Sequence, residues 1–197
     1  MPTVPQLRGE GAARPAAERH RLFFALWPDD ALATCLEAVA TAAALRFGGR
    51  PTRRETLHLT LAFLGDVAGA ELPGLIAAGR RVGVAPFTLQ IDRLGCWRHN
   101  RLLWAGCRPE PGLDRLLAQL QLALAEAGRP QPARPHAFMP HLTLIRKLPA
   151  STLPDQVRLF PPGDMPPWHC SRFRLVASQL SAAGSAYTTL AEFPLSC

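Results

Sequence analysis

Two copies of one tetrapeptide, His-Leu-Thr-Leu at 58–61 and again at 141–144, constrain this 197-residue chain more than any other feature. Leu-x-Leu alternation alone marks any half-buried strand. Histidine makes the repeat informative, because the chain has only six. On a strand, side chains alternate between faces, so His58 and Thr60 point one way while Leu57, Leu59 and Leu61 point the other. The same parity groups His141 with Thr143, opposite Leu142 and Leu144. Each copy is expected to bury its leucines and to offer an imidazole and a hydroxyl on its open face.

The surroundings of the two copies also repeat. The apolar run "RLFFALWP" (21–28) reads as a buried strand closed by proline. Asp29 or Asp30 can then cap a helix through "ALATCLEAVATAAALRF", which stops at Gly48-Gly49 ahead of the first motif. In the second half, "RLLWAGCRPEPG" reads as a strand and "LDRLLAQLQLALAEAG" as a helix ending at Gly128, ahead of the second motif. The spacings nearly match, so the motifs stand at equivalent points of an internal duplication. A short helix in "AELPGLIAAGRRVG", a strand "FTLQIDRLGCW" and a C-terminal hairpin of "RFRLVASQLSAAG" with "AYTTLAEFPL" complete the pattern. The expected fold is α+β: a bilobal duplicated domain over residues 21–197, preceded by a flexible arm over residues 1–20. If the lobes face each other about a pseudo-twofold axis, the motif strands meet in the cleft between them.

Composition narrows the function classes. With 48% hydrophobic residues the chain can bury a core without staples. Five cysteines, none in a C-x-x-C pair, read as reduced thiols of a cytoplasmic protein. Cys170 beside His169 lacks partners at ligand spacing, so no metal is expected. No apolar run is long enough to cross a bilayer, and the opening segment lacks the hydrophobic stretch of a targeting peptide. A net charge of +7 favours a polyanionic partner such as RNA, although the arginines are scattered: Arg50, Arg53 and Arg54 before the first motif, Arg98 and Arg101 in "GCWRHNR", Arg146 and Lys147 after the second.

Two imidazoles facing one ligand suit a phosphodiester. Histidine titrates near neutral pH, so a pair can hold one base and one acid on opposite sides of phosphorus. Hydroxyls from Thr60 and Thr143 would donate to the oxygens on which charge builds. No metal or other cofactor is required for that chemistry.

The paired H-x-T-x motifs, with "RLFFAL", "LAFLGDV", "RLLWAG", "PHLTLIRK" and "LVASQLSAAGSAYTTL", resemble the two-histidine phosphoesterase superfamily. The branch is that of the RNA 2′,3′-cyclic phosphodiesterases, also called 2′-5′ RNA ligases or LigT-like proteins. The resemblance implies antiparallel sheets lining a central cleft, with helices outside, and metal-independent hydrolysis of RNA 2′,3′-cyclic phosphate to a 2′-phosphomonoester. It implies His58 as proton donor to the departing 3′ oxygen, His141 as the base activating water, and Thr60 and Thr143 as phosphate ligands. Arg146 matches a family arginine three residues after the motif threonine. Met139 stands where many members carry a basic residue. Strand parity puts Arg146 on the face away from His141, so reaching the phosphate needs a bulge or local twist.

Trp97 and Tyr187 are candidates for stacking on a base. His20, His99, His136 and His169 fall outside any repeat and read as surface or structural histidines. Two other functions fit the same motifs less well. One is a phosphodiesterase or reversible ligase acting on 2′-5′-linked oligonucleotides or a small cyclic phosphodiester. The other is a non-catalytic RNA-binding module, which has no need of an acid and a base on opposite walls. The protein is expected to work as a monomer with no membrane partner.

Overall fold

The computed structural model describes residues 19–132, 138–152, 165–181 and 184–196. The expected arm therefore lies almost wholly outside the described residues, as does His136. The domain's first strand begins two residues earlier than expected, because β1 (Arg19–Leu26) pairs from its first residue, Arg19 opposite Ala68.

Asp29 caps α1 (Asp30–Phe47) by accepting from the Leu32 backbone N–H at 2.9 Å. Gly48, at φ 75°, ends the helix in a conformation that penalises a side chain. A two-residue strand, β2 (Arg50–Pro51), precedes β3 (Leu59–Ala68), which carries the first motif. After α2 (Leu72–Arg80), the expected strand "FTLQIDRLGCW" is two: β4 (Phe87–Leu89) and β5 (Ile91–Trp97). They belong to different sheets, since β4 pairs with β8 (Trp168–Cys170), a strand just before the C-terminal hairpin. The second unit then runs β6 (Leu102–Cys107), α3 (Pro111–Glu126) and β7 (His141–Arg146). The hairpin of β9 (Arg172–Ser181) and β10 (Gly184–Pro194) closes the chain.

The main sheet has the order β10-β9-β1-β3-β7-β6-β5, with β2 also on β7, and all its pairings are antiparallel. The order makes the duplication visible. Strands β1 and β3 of the first unit meet β7 and β6 of the second, with β3 and β7 in the middle. Each half is finished by strands from the other unit: β5 joins β6, while β9 and β10 join β1. The helices cross over too, α1 packing on β7 and α3 on β3.

At the centre, β3 and β7 share a single register pair, Leu59 opposite Leu142. Both leucines are fully buried, as are Leu57 and Leu144, so the expected inward face of each motif is the core. Beyond that pair the strands part, and β2 takes the free edge of β7. The Thr52 N–H continues this contact by donating to the Leu144 carbonyl at 2.8 Å. No described helix is long and apolar enough to cross a membrane.

The face of β6 turned toward the motifs carries Trp104, opposite Gly95 on β5 and Thr143 on β7. A Cβ at Gly95 would overlap the Trp104 indole. Gly95→Ala is therefore expected to destabilise the protein by roughly 1–3 kcal/mol through overpacking. Urea unfolding measures this, and an unchanged midpoint would show that the indole moves aside freely.

Candidate active site

Antiparallel register extended one residue either way from Leu59–Leu142 sets His58 across from Thr143, and Thr60 across from His141. All four side chains are half-buried on the face opposite the leucines. Each imidazole thus stands beside its own threonine along the strand and the other motif's threonine across it.

Both rings are oriented the same way. His58 Nδ1 lies 2.7 Å from the Thr56 carbonyl and His141 Nδ1 lies 3.0 Å from the Met139 carbonyl. In each case the carbonyl two residues earlier can only accept, so Nδ1 carries the proton and Nε2 of the neutral ring is left for a ligand. Met139 thus contributes through its backbone.

Aromatic walls hold the rings. Trp27 stacks on His58 at 5.2 Å, Phe23 lies tilted at 5.0 Å, and Tyr187 meets it edge-on at 5.3 Å. Trp97 meets His141 edge-on at 4.5 Å and leans on Trp104 at 5.3 Å. Trp27 and Phe23 are additions to the expected set. Their signal was the run "RLFFALW", apolar on both strand faces: Leu22, Phe24 and Leu26 face the main core, while Phe23 and Ala25 form a second cluster with Val176, Trp27 and Tyr187. A strand apolar on both faces must be covered on both, and here the second cover is the wall behind His58.

Arg146 reaches the motif face through a bulge. On β6, Leu103 and Trp104 are consecutive, but their partners on β7 are Ile145 and Thr143, which leaves Leu144 as an extra residue. Leu144 and Ile145 are both fully buried, so Arg146 falls on the face of His141 and Thr143. β3 carries a bulge at the same place, with Leu61 the extra residue between Thr60 and Ala62. Leu61 and Ala62 are both buried.

A cavity of about 220 Å³ opens on this face, lined by Arg50, Pro51, Thr52, Arg53, Thr56, His58, Thr143, Arg146, Lys147, Ser185 and Tyr187. It brings together His58, Thr143, Arg146 and Tyr187 of the expected residues. His141, Thr60 and Trp97 stand beside it on the shared face without lining it. Of the arginines scattered in sequence, Arg50, Arg53 and Arg146 converge here, whereas Arg98 and Arg101 do not line the cavity and Arg54 turns away to Asp30 at 3.0 Å. His99 lies exposed in the β5–β6 turn, and His169 is 3.0 Å from the Thr88 hydroxyl on the two-stranded sheet. Among the described residues no three His, Cys, Asp or Glu side chains converge as metal ligands would.

Electrostatics depress both imidazoles. Burial lowers the His58 pKa to about 4, against the raising effect of the Thr56 carbonyl, with Arg146 and His141 lowering it further. His141 is lowered for the same reasons, burial first, with the Met139 carbonyl opposing and Arg146 adding. The Arg146 guanidinium thus disfavours the charged form of both rings.

Two half-buried H-x-T-x strands related by a pseudo-twofold axis define the site as that of a two-histidine phosphoesterase. A family model described as "LigT like Phosphoesterase" matches residues 26–104. The chain is 36% identical over 183 residues to the RNA 2′,3′-cyclic phosphodiesterase of Escherichia coli (strain K12), covering 91% of this chain and 98% of that protein. It is 33% identical over 185 residues to the protein of the same name from Thermus thermophilus, covering 89% and 90%. The crystal structure of E. coli LigT complexed with 3′-AMP matches with a TM-score of 0.75 at 30% identity, covering 90% of this chain and 99% of that one. The chain belongs to the LigT-like phosphoesterase family.

The lowered His58 pKa has a consequence for stability. Between pH 6.5 and about 4 the unfolded chain binds the His58 proton and the folded chain does not, so stability present above pH 6.5 is lost as pH falls through this window. The loss is on the order of 3 kcal/mol at the acid end. His58→Gln should remove it, measured by urea unfolding at about pH 4.5 and about pH 7. Equal acid sensitivity in wild type and variant would mean that the folded state does not hold this ring neutral.

Proposed function

We propose that the protein hydrolyses RNA 2′,3′-cyclic phosphate ends to 2′-phosphomonoesters by acid–base catalysis between His58 and His141. The observation that carries this reading is the central register, which sets two imidazoles and two threonine hydroxyls on a single sheet face. The name of the E. coli and Thermus relatives, RNA 2′,3′-cyclic phosphodiesterase, supports it. His141 takes the proton from the attacking water through Nε2. His58 gives a proton to the departing 3′ oxygen. Thr60, Thr143 and Arg146 donate to the non-bridging oxygens as negative charge accumulates in the transition state. Trp97 and Tyr187, which also support the two histidines, stack on the base of the terminal nucleotide. The protein acts as a monomer in the cytoplasm, a setting that would keep its cysteines reduced.

The acid role needs a proton on His58, yet the free site holds its pKa near 4. A bound phosphodiester anion reverses part of this by compensating Arg146 and by attracting the imidazolium. Substrate thereby raises the pKa of its own acid.

Three results are expected. His58→Ala and His141→Ala each reduce turnover by roughly 10² to 10⁴, and Thr60→Ala and Thr143→Ala by less. Steady-state rates on an oligonucleotide ending in 2′,3′-cyclic phosphate measure this, and near wild-type turnover in either histidine variant would make that ring structural. Replacing the leaving 3′ oxygen by sulfur, which departs without a proton, rescues His58→Ala far more than His141→Ala. Rescue of His141→Ala alone would invert the acid and base roles. Finally, since both free imidazoles lie below 6.5, the bell-shaped kcat/KM profile peaks on the acid side of that value. The kcat profile, which reports the complex, shifts to higher pH. Coincident profiles would contradict the rise of the His58 pKa on binding.

A further inference from the structure

The indole that backs His58 is itself held from behind. Strands β3 and β9 flank β1 on opposite sides, and Ala25 on the open face of β1 has Thr60 across from it on one side and Arg174 on the other. Trp27, two residues further along and packed with Ala25 in the same cluster, lies between His58 and Arg174. The imidazole stacks on the indole at 5.2 Å with 22° between the planes. The Arg174 guanidinium carbon lies over the same ring, 5.4 Å from its centroid. A cation over an indole is attracted by the ring's quadrupole, most strongly where water is excluded, and here the Arg174 Nε is buried.

Arg174 is fixed in turn. Glu192, its register partner on β10, lies 2.7 Å from Nε and also accepts from Arg172 Nη1 at 3.3 Å. The edge of the indole is tied as well: its Nε1 donates to the Glu55 carbonyl at 3.2 Å, in the turn Arg54–Thr56 whose last carbonyl faces His58 Nδ1. Trp27 thus meets both things that orient His58, the face of its ring and the turn that sets its tautomer. Beyond the indole the structure opens. A second cavity, of about 690 Å³, is lined by Trp27 with Arg54, Glu55, Arg172 and Arg174, while His58 lines only the first. With open space on that side, apolar packing there does not press the indole onto the imidazole, and the Arg174 guanidinium takes that place. The charges that act on His58 are those of Arg146 and His141, and the charge of Arg174 is balanced by Glu192, so Arg174 acts on the ring through contact.

We infer that Arg174 is a positioning residue for His58: it holds the Trp27 indole as a plate against the imidazole and so keeps Nε2 aimed at the leaving oxygen. The inference rests on the proposed acid role of His58 and adds a residue that touches neither the substrate nor the reacting atoms.

The test compares Arg174→Met, which keeps a long side chain without the cation, with Arg174→Lys, which keeps a cation over the ring. Each is assayed on 2′,3′-cyclic phosphate ends whose leaving atom is oxygen or sulfur. Arg174→Met is expected to lower kcat on the oxygen substrate about tenfold, the order of one partly desolvated cation–π contact, with KM within about twofold of wild type. Arg174→Lys should recover most of that loss. On the sulfur substrate, which needs no proton from His58, Arg174→Met should stay within about twofold of wild type, and that turnover also reports that the variant folds. Equal losses on both substrates would overturn the inference, because general damage to the fold does not distinguish the leaving atoms. So would an unchanged kcat on the oxygen substrate. Imidazole NMR of the free protein reads the positioning without turnover: wild-type His58 titrates at about 4 with its proton on Nδ1, and in Arg174→Met that pKa should rise as water reaches the loosened ring. A His58 titration unchanged by Arg174→Met would overturn the inference in an active or an inactive enzyme. Wild type inactive on both substrates, with the NMR difference present, would remove the hydrolase reading and leave Arg174 as the residue that positions His58.

Discussion

The Leu59–Leu142 pair is the contact on which the rest of the structure depends. Among the described residues it is the one register pair between β3 and β7, and it joins the strands of the two units into one sheet. Side-chain period on a strand is two, so a slip of one residue here would turn the slipped strand's histidine into the core and its leucines out to solvent. What prevents the slip is the leucine face. Leu57, Leu59, Leu61, Leu142 and Leu144 are all essentially inaccessible, and exposing any one of them forfeits roughly 1.5–3 kcal/mol. The packing requirement and the chemical requirement are therefore one requirement, met by opposite faces of the same residues. The crossed helices add to it, since α1 braces β7 and α3 braces β3, so neither motif strand is supported by its own unit alone.

Where the motif ends, regular alternation ends too. Each motif strand carries an extra residue immediately after the motif threonine, Leu61 in β3 and Leu144 in β7. The bulge lets two consecutive apolar residues face the core and returns the next one to the open face. In β3 that position is Phe63, half exposed and lying against the Arg21 guanidinium at 4.9 Å. In β7 it is Arg146. Duplication thus preserved the backbone device and left the residue it presents free to differ, giving the site one central guanidinium rather than two.

Much of this was legible in the sequence because it is local. The Asp29 cap, the glycine stops, the alternation of "LHLTL" and the strand-helix-strand order follow from neighbours in the chain, and each is present in the structure. The two motif strands could be expected to share a cleft because their settings repeat. What could not be read is non-local. Nothing in "FTLQIDRLGCW" says that its first three residues pair with "WHC" about eighty positions later, because an edge pairing of that kind is decided by which segments the fold brings alongside. Parity alone placed Arg146 on the wrong face, since a bulge depends on the partner strand. The convergence of Arg50 and Arg53 with Arg146 and Lys147 was hidden for the same reason: β2 is two residues long, has no strand pattern of its own, and exists because β3 and β7 part and leave an edge for it.

The enclosure of His58 then acquires a meaning beyond support. Three aromatic rings and a nearby guanidinium make a neutral imidazole the resting state, its proton fixed on Nδ1 by the Thr56 carbonyl. A water-exposed histidine would be partly protonated near neutrality whether or not a substrate were present. Here the low-polarity wall makes the Nε2 proton costly until negative charge arrives, and the same wall strengthens the attraction once it does, because a field acts farther in a medium of low dielectric. Under the proposed mechanism His141, against the wall of Trp97 and Trp104, feels the same anion but must stay neutral to act as base. The sheet gives both rings the same backbone setting, so the difference in their roles has to come from where the substrate's leaving oxygen lies, nearer one Nε2 than the other. Symmetry of the scaffold and asymmetry of the ligand together divide the work.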